Sequence, residues 1–365
     1  RPLIILYAGN GRYPANKNLI AKLAFDQAFT ETHIGKAWLW NAGRYTADRR
    51  ADESLLVVLE VPRLFRSWWN PAHTFFLPTW FDGRVEADAP AFSDSTKSDI
   101  KRIKKNGLRY VITADPLRFK SFYDEMHVPY IAKTFGERAF IHDYRHMLDH
   151  FGPDRLYQEL LLVLKGDEPI AGILLGREQE GIYLHYVGVK DGNLEYVQEG
   201  ALGALFYFPV DHARSKGLKS VNFGLTRPFL NDGVLQFKKK RGMAIAHTYE
   251  IGYLLQTGAD AGAVTGFLLN NPFLYRKGDE FCGAVFVEGT LPLTPDSLKR
   301  LHKEYYLKGM TKLILYPLGG SSRPESQIHP ADIPDHMVIA SAADFVAGRS
   351  ARGRQPRRHQ TEEGR

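Results

Sequence analysis

Three strand-like segments in quick succession, between residues 160 and 189, place the strongest limit on what this chain can fold into. Apolar runs at 160–164 and 170–175 are separated by the turn-forming segment 165–169, which contains a glycine and a proline. This spacing predicts a β-hairpin. The segment 181–189 follows a short polar turn and predicts a third strand beside the hairpin. We therefore expect an antiparallel sheet in this part of the chain.

Helical patterns precede these strands. Lysines recur at every fourth position from 97 to 105 and two isoleucines supply an apolar stripe, which predicts a short basic amphipathic helix. Thr96 and Asp99 resemble a capping box at its start. Asp115-Pro116 predicts the beginning of a second helix, and residues 143–151 predict a third.

A helix and more strands follow the hairpin. Residues 195–215 have one apolar face and end at Lys216-Gly217, and Pro209 predicts a kink within the helix. We predict a short strand at 220–223, a loop to 242, and strands near 246–255 and 281–287. The amino-terminal part predicts a strand at 3–8, a helix near 17–29 and a strong strand at 55–61.

Length and composition fit a globular protein of about two domains. The 365 residues are 44% hydrophobic and 24% charged, which excludes a wholly disordered or collagen-like chain. The longest apolar runs are far shorter than the roughly 18 residues of a membrane-spanning helix, so we expect no membrane span. Cys282 is the single cysteine. An internal disulfide is therefore excluded, and cytoplasm is the expected compartment.

Much of the positive charge lies at the carboxyl end. The net charge is +7, and residues 349–365 carry six arginines against two glutamates. Because this segment has no apolar periodicity, we predict an extended segment from 319 that ends in a disordered basic tail. The tail could touch nucleic acid or an anionic surface, whereas a solvated tail without a specific partner is the simpler interpretation.

An aromatic stretch between residues 68 and 83 holds three of the five tryptophans, Trp68, Trp69 and Trp80. Aromatic side chains dominate both packed domain surfaces and the walls of substrate sites. The stretch therefore predicts either a packed surface between domains or a substrate wall.

The order of the elements and the residues they carry resemble the GNAT acyltransferase fold in its FemAB-like branch, whose members join two GNAT-type halves. The resemblance spans 93–255 and is carried by the basic segment 98–107, by Phe122-Tyr123 and Pro129-Tyr130, by 168–172, and by 219–224 with 231–242. In the last of these, residues 237–242 look like the family's FK-K-x-G element. The resemblance implies an α+β, GNAT-type fold of two halves, with mixed, largely antiparallel sheets flanked by helices. We place a short amino-terminal half at 1–92 and the acyltransferase half at 93–318.

The resemblance also implies where an acyl donor would bind. In a GNAT-type sheet two central strands diverge, backbone groups there hold the acyl-pantetheine arm, and a helix N-terminus receives the pyrophosphate. These roles fall on Val187, Gly188, Val189, Gln198, Gly200 and Gly203. Two glycines near a helix start indicate close approach of a ligand or, alternatively, tight packing of the helix on the sheet. The family's Gln/Arg-x-x-Gly-x-Gly/Ala spacing is altered here, which puts aminoacyl-tRNA beside acyl-coenzyme A as a possible donor.

Acyl transfer to an amine needs a base for the ammonium, donors for the oxyanion and an acid for the leaving group. His185 is the candidate base, because histidine titrates near neutrality and strand alternation places it on one face with Tyr183 and Val187; a core histidine is the alternative. Tyr249 is the candidate acid. Asp232, in a turn beside several cations, suits recognition of a substrate ammonium or simply forms the turn. The substrate-binding candidates are Tyr183, Asn222, Arg227, Lys238 and Lys239, of which the two lysines could clamp a phosphate and join the basic helix in one rim.

Other signals are weaker. His142, His146 and His150 recur every four residues, a spacing that can present metal ligands, but no acidic signature accompanies them. We therefore predict no metal site and no tightly bound cofactor. Residues 9–11 predict a tight turn rather than a dinucleotide loop, and Cys282 is interpreted as a small buried hydrophobe.

These observations favour an N-acyltransferase that moves an acyl group from acyl-coenzyme A, as co-substrate, to a primary amine of a small molecule, peptide or cell-envelope precursor. No strong nucleophile is visible, so we expect direct transfer in a ternary complex. The alternatives are an aminoacyl-tRNA-dependent transferase, in which the basic rim holds the acceptor stem, and a catalytically silent GNAT-like binding module.

Overall fold

The computed structural model describes residues 3–11, 13–25, 29–36, 38, 55–68, 74–136, 139–257, 262–290, 292–318 and 329–340. The predicted basic tail at 349–365 and Trp69 of the aromatic stretch lie outside these ranges. The chain forms two compact units, the first from Arg1–Thr79, Glu250–Tyr306 and Met310–Arg365, and the second from Trp80–Tyr249 and Leu307–Gly309.

The elements are numbered along the chain. The strands are β1 Ile4–Ala8, β2 Leu55–Pro62, β3 Thr74–Pro78, β4 Phe81–Glu86, β5 Leu108–Thr113, β6 Glu159–Lys165, β7 Glu168–Glu178, β8 Gly181–Val189, β9 Ser220–Thr226, β10 Ala244–Thr248, β11 Ile251–Thr257, β12 Phe273–Lys277, β13 Glu280–Glu288, β14 Lys312–Leu318 and β15 Met337–Ile339. The helices are α1 Pro14–Ala24, α2 Asp94–Lys105, α3 Pro116–Ser121, α4 Val128–Phe135, α5 Tyr144–Asp149, α6 Leu194–Glu199, α7 Ala201–Ser215, α8 Gly233–Lys240, α9 Gly262–Asn270 and α10 Pro295–Tyr305. A π-helical turn, Phe122–His127, joins α3 to α4.

The first unit is built on an eight-stranded sheet in the order β1-β2-β11-β3-β12-β13-β14-β15. Its pairs are antiparallel except β1 with β2, β13 with β14, and β14 with β15. The apolar run that begins β2 is buried at five successive positions, as expected of a strand covered on both faces.

The second unit has a seven-stranded sheet in the order β10-β4-β9-β8-β7-β6-β5, in which the single parallel pair is β8 with β9. Helix α7 packs on one face, where Phe206 meets Phe223 of β9. On the opposite face, the segment from α3 to α5 covers the other end of the sheet through a core that includes Phe119, Phe122 and Met147. The predicted helices, three antiparallel strands, helix and further strands are found in that order, with one strand that was not predicted, β5, between α2 and α3.

The units divide the chain differently from the predicted boundaries near 92 and 318. Strand β4 lies in the predicted first half but pairs with β9 of the second unit. Strand β11 lies in the predicted second half but pairs with β2 and β3 of the first, and β15 adds an edge strand from within the predicted extended segment. These pairings join strands far apart in the sequence, so local periodicity does not contain them.

Three local expectations are corrected. The basic helix exists, but Ser93 caps it by accepting a hydrogen bond from the backbone N–H of Thr96, so the start lies three residues before the predicted one. The predicted helix at 195–215 is two helices, because Gly200 adopts a left-handed conformation between α6 and α7. The loop expected before Gly242 contains helix α8. In the described part of the chain, no helix combines the length and hydropathy that crossing a bilayer requires.

Candidate functional site

A gap opens in the sheet of the second unit between β8 and β9. The two strands pair in parallel over three residues only, ending at Tyr183 opposite Asn222. Both then continue, β8 to Val189 and β9 to Thr226. Beyond Tyr183 and Asn222 the two strands therefore no longer form regular hydrogen-bonded pairs, and their backbone groups need other partners.

A β-bulge in β8 lies beside this gap. The register with β7 moves from Leu175 opposite Leu184 to Ile173 opposite Val187, so two residues of β8 oppose one of β7. The predicted alternation of faces therefore does not hold beyond Leu184. The rings of His185 and Tyr186 both contact Tyr157, at 4.7 and 5.5 Å between centroids.

Polar side chains from four strands meet where the parallel pairing ends. The Tyr183 hydroxyl donates to Oδ1 of Asp82 at 3.4 Å. Asn222 Nδ2 donates to Oε1 of Glu178 at 2.9 Å, and Arg84 Nη2 lies 2.8 Å from Oε2 of the same carboxylate. This polar network, made of Asp82, Arg84, Glu178, Tyr183 and Asn222, marks the base of the gap.

Asp82 is the group in the polar network best suited to accept a proton. Burial raises the pKa of its carboxyl, and the nearby Glu178 raises it further, against the opposing hydrogen bond from Asn222 and the charge of His247. A carboxylate with a raised pKa is a stronger base than an exposed one. Sequence reasoning missed Asp82, although the aromatic stretch that contains it was recognised as a possible substrate wall.

His185 forms part of the wall of the gap. Its ring lies against Tyr183 and Tyr157, with centroids at 4.5 and 4.7 Å. Gly176 makes room for it, since a Cβ there would lie 2.5 Å from Nε2. Burial lowers the pKa of His185 to about 4. The imidazole is therefore neutral at pH 7 and is a weak acceptor for an ammonium proton, so this geometry favours Asp82 as the base.

The lowered pKa of His185 predicts an acid-sensitive fold. The unfolded chain, with an ordinary histidine pKa of 6.5 against about 4 in the folded state, binds more protons between these values, so the free energy of unfolding falls as pH drops through that window. We expect wild type to lose about 2 kcal/mol more than His185→Gln between pH 7 and pH 4.5. Urea unfolding at both pH values measures this difference. His33→Gln, at an exposed histidine of the first unit, is the control for removal of an imidazole, and equal losses in all three proteins would contradict the prediction.

Lys238 supports the gap from within the protein. It is 5% exposed, and its ammonium group donates to the carbonyl oxygens of Gly224 and Leu225 at 3.1 and 2.8 Å and to Oγ1 of Thr226 at 3.1 Å. All three donor hydrogens are thus used on the part of β9 that has left β8. Burial lowers its pKa to about 8. Lys238, which was predicted to clamp a phosphate, therefore binds the backbone of β9 instead. Lys239 beside it is half-buried.

The remaining catalytic and substrate candidates are placed as follows. Oδ1 of Asp232 accepts from the backbone N–H of Leu235 at 2.9 Å and caps α8, as the turn-forming interpretation expected. The guanidinium of Arg227 lies 3.5 Å from the ring centroid of Trp80. Tyr249 is 48% exposed, and its backbone N–H donates to the carbonyl of Trp80. Tyr183 and Asn222 belong to the polar network, and Tyr249 interacts electrostatically with Tyr183.

No protein-family model and no curated protein matches the sequence. Similar solved structures include FemX, with 13% identity over 69% of this chain and 81% of that one at a TM-score of 0.39. The carboxyl-terminal domain of a putative lysylphosphatidylglycerol synthetase from Agrobacterium fabrum has 14% identity over 72% and 79%, with a TM-score of 0.36. A GCN5-related N-acetyltransferase from Sphaerobacter thermophilus has 14% identity over 72% and 76%, with a TM-score of 0.32. These likenesses are too distant to support an argument about activity. The strand order and the gap define the fold.

The chain has two sheets of mixed strand orientation flanked by helices, and in the second sheet the central parallel pair diverges. This α+β arrangement agrees with the GNAT-type fold that the resemblance implied.

The two glycines of the segment expected to hold a donor pyrophosphate pack against helix α2. A Cβ on Gly203 would lie 3.3 Å from Cβ of Asp99, and one on Gly200 would lie 3.4 Å from the Ile103 side chain, both on helix α2. The close approach that these glycines permit is therefore made by a helix. Gln198 is exposed on α6.

The N-terminus of the helix after β8 is likewise engaged. Asn193 caps α6 by accepting from the backbone N–H of Glu195, and that glutamate places a negative charge in the first turn. Both features disfavour an anion there, because the cap uses a free N–H group and the carboxylate repels phosphate.

The strand residues of the donor segment are also in contact with protein. A Cβ on Gly188 would lie 2.5 Å from the backbone nitrogen of His127, Val189 is buried, and the Val187 carbonyl accepts from Nδ1 of His127 at 2.8 Å. In this structure all three residues are therefore engaged by or buried in the protein itself.

The three histidines on α5 and its flanks form a stack. The rings of His142 and His146 are 5.1 Å apart and those of His146 and His150 are 4.6 Å apart. No group of three or more histidine, cysteine or acidic side chains within the described ranges is arranged to hold a metal ion.

Proposed function

We propose that the protein transfers an acyl group from an activated carrier to a primary amine in the gap between β8 and β9. The observation that carries this proposal is the position of Asp82, whose half-buried carboxylate has a raised pKa and stands where the two strands separate. An acyl carbonyl held along the diverging strands would lie beside a proton acceptor, which amine acylation needs.

The acceptor ammonium gives a proton to Asp82, and the resulting amine attacks the acyl carbonyl carbon to form a tetrahedral intermediate. The intermediate then collapses with cleavage of the bond between the carbonyl carbon and the oxygen or sulfur of the carrier. The attacking nitrogen loses its second proton to this leaving oxygen or sulfur, so the products are an amide and the protonated carrier. Tyr183 and Asn222 keep the Asp82 carboxylate oriented through hydrogen bonds. A small molecule, a peptide or a cell-envelope precursor would supply the amine.

Between the two carriers, the surroundings of the gap favour an aminoacyl ester of RNA over acyl-coenzyme A. Gly200 and Gly203 of the expected donor segment pack against helix α2, and the N-terminus of α6 is capped by Asn193 and carries Glu195. Lys101, Lys104 and Lys105 are exposed on α2 and would attract a polyanion. Acyl-coenzyme A would have to place its phosphates elsewhere.

A binding panel separates the carriers. A ligand at about 100 times its Kd should raise the free energy of unfolding by about 2.7 kcal/mol, so we expect aminoacyl-tRNA to raise the melting temperature and coenzyme A and acetyl-coenzyme A to raise it less. Raising the salt from about 50 to about 200 mM should weaken RNA binding tenfold or more. The triple variant Lys101→Gln, Lys104→Gln, Lys105→Gln should flatten this salt dependence.

Three other results would revise the proposal. A shift with acyl-coenzyme A alone, followed by acylation of an amine panel detected by mass spectrometry, would assign coenzyme A as the carrier. Binding without any acylated product would indicate a silent binding module. A panel in which no carrier shifts the melting temperature would overturn the proposed transfer.

A further inference from the structure

One buried acceptor atom beside the gap has no partner. His127 lies at the end of the π-helical turn and is 2% exposed. Its Nδ1 lies 2.8 Å from the carbonyl oxygen of Val187. A carbonyl can only accept, so Nδ1 carries the proton and Nε2 is a bare acceptor. Within the described residues Nε2 has no hydrogen-bond partner, and such an atom in a folded protein calls for a specific explanation.

The strand register turns the Val187 carbonyl toward the gap. Glu178 and Gly181 flank the two-residue turn between β7 and β8 and pair with each other. In antiparallel strands, successive residues point their N–H and C=O groups alternately to one neighbour and the other. The N–H and C=O groups of Gly181 point to β7, so three residues later those of Leu184 point to β9. The Leu184 carbonyl lies 3.0 Å from the Cβ position of Gly224 on that strand. The bulge adds one residue, so that Val187 again points to the β9 side.

His127 therefore lies beside β8 on the side from which β9 has diverged. It donates to the Val187 carbonyl, which the divergence leaves without a strand partner, and its own Nε2 remains as a buried acceptor on the same ring. Burial lowers the pKa of this histidine, and the neighbouring His142 lowers it further against the effect of the bond to Val187. The ring thus stays neutral and keeps the Nε2 lone pair at physiological pH.

We propose that Nε2 of His127 accepts a hydrogen bond from an N–H group of the acyl donor and so positions the donor in the gap. The proposal rests on the transferase function proposed above. Both candidate donors carry an N–H group near the reacting carbonyl. In an aminoacyl ester it belongs to the α-amino group, and in an acyl-coenzyme A it belongs to a pantetheine amide.

Access to Nε2 requires a neighbouring ring to move. The rings of Tyr186 and Tyr123 lie 5.3 and 6.2 Å from that of His127 between centroids, and both are only partly buried. Displacement of one of these rings by the donor would open the path.

Two variants distinguish the acceptor role of Nε2 from the hydrogen bond that Nδ1 of His127 donates to the Val187 carbonyl. In His127→Asn the amide nitrogen can still donate to Val187, but nothing reaches the Nε2 position. In His127→Gln the amide oxygen reaches that position as an acceptor, while the bond to Val187 is lost. We expect His127→Asn to raise KM for the donor about tenfold with kcat within about threefold of wild type, as for the loss of one hydrogen bond. His127→Gln should keep KM within about threefold.

The assays use both carriers, aminoacyl-tRNA and acetyl-coenzyme A, and the carrier whose KM responds identifies the source of the N–H. An unchanged KM in His127→Asn, or a larger rise in His127→Gln, overturns the role of Nε2 while leaving the transferase intact. Absence of transfer by wild type with either carrier overturns both proposals. If His127→Asn does not fold, the ¹⁵N resonance of Nε2 in labelled wild type replaces it. Movement of this resonance on adding the carrier supports the contact, and a resonance that does not move when the carrier binds contradicts it.

Discussion

Replacement of Asp82 by asparagine is expected to lower the rate of acyl transfer by about 100-fold or more. The amide preserves the shape of the side chain and can still bond to Tyr183 and Asn222 but cannot take a proton from an ammonium. Single-turnover rates with saturating donor measure this loss. Glu86→Gln, on the same strand but exposed and paired with Lys308 on the surface, is the matched control and should keep the wild-type rate.

The pKa of Asp82 also fixes the expected pH dependence. Because its pKa in the folded protein is raised above 3.8, the wild-type rate should rise with pH through an apparent pKa above that value, and the variant should lack this limb. The Asp82 carboxyl binds a proton more readily in the folded protein than in the unfolded chain. The free energy of unfolding is therefore lower above that pKa, where the group is ionised, than below it. Asp82→Asn should therefore unfold at pH 7 with a free energy equal to or greater than that of wild type. A folded variant with wild-type rates would exclude Asp82 as the base.

Replacement of Lys238 by methionine is expected to lower the free energy of unfolding by about 3–4 kcal/mol. Methionine fills a similar volume but leaves the carbonyls of Gly224 and Leu225 buried without their donor, on a segment of β9 that β8 no longer supports. Denaturation in urea measures the loss.

A neighbouring lysine provides the control for this second prediction. Lys240 is exposed on the same helix, and Lys240→Met should change stability by less than about 0.5 kcal/mol. If Lys238→Met unfolds with the same free energy as Lys240→Met, the buried lysine does not hold the diverging strand. The proposed reason why the gap stays open would then be wrong.

Short-range patterns predicted the elements around the site with good accuracy. The basic helix α2, the start of α3 at Asp115-Pro116 and the three strands from β6 to β8 lie where periodicity and turn residues put them. These features depend on neighbours a few residues apart. The resemblance implied the divergence of the central strands, with which the end of the β8–β9 pairing agrees.

The candidate site was less predictable, and two residues show why. The basic run 238–241 predicts that Lys238 could clamp a phosphate, but the helical turn of α8 points this one side chain inward to β9. Asp82 is absent from the sequence-based candidates because no residue close to it in the sequence indicates that it is a base. Its neighbours in space, Glu178, Tyr183 and Asn222, come from three other strands.

The sequence by itself determined the local elements and their order, because the energies that select a helix or a strand act between residues that are close along the chain. The tertiary structure decided the pairing of β4 with β9, the packing of Gly200 and Gly203 against α2, and the burial that shifts the pKa values of Asp82, His185 and Lys238. Desolvation and strand pairing depend on groups brought together from distant segments, and those distances exist only after the chain has folded.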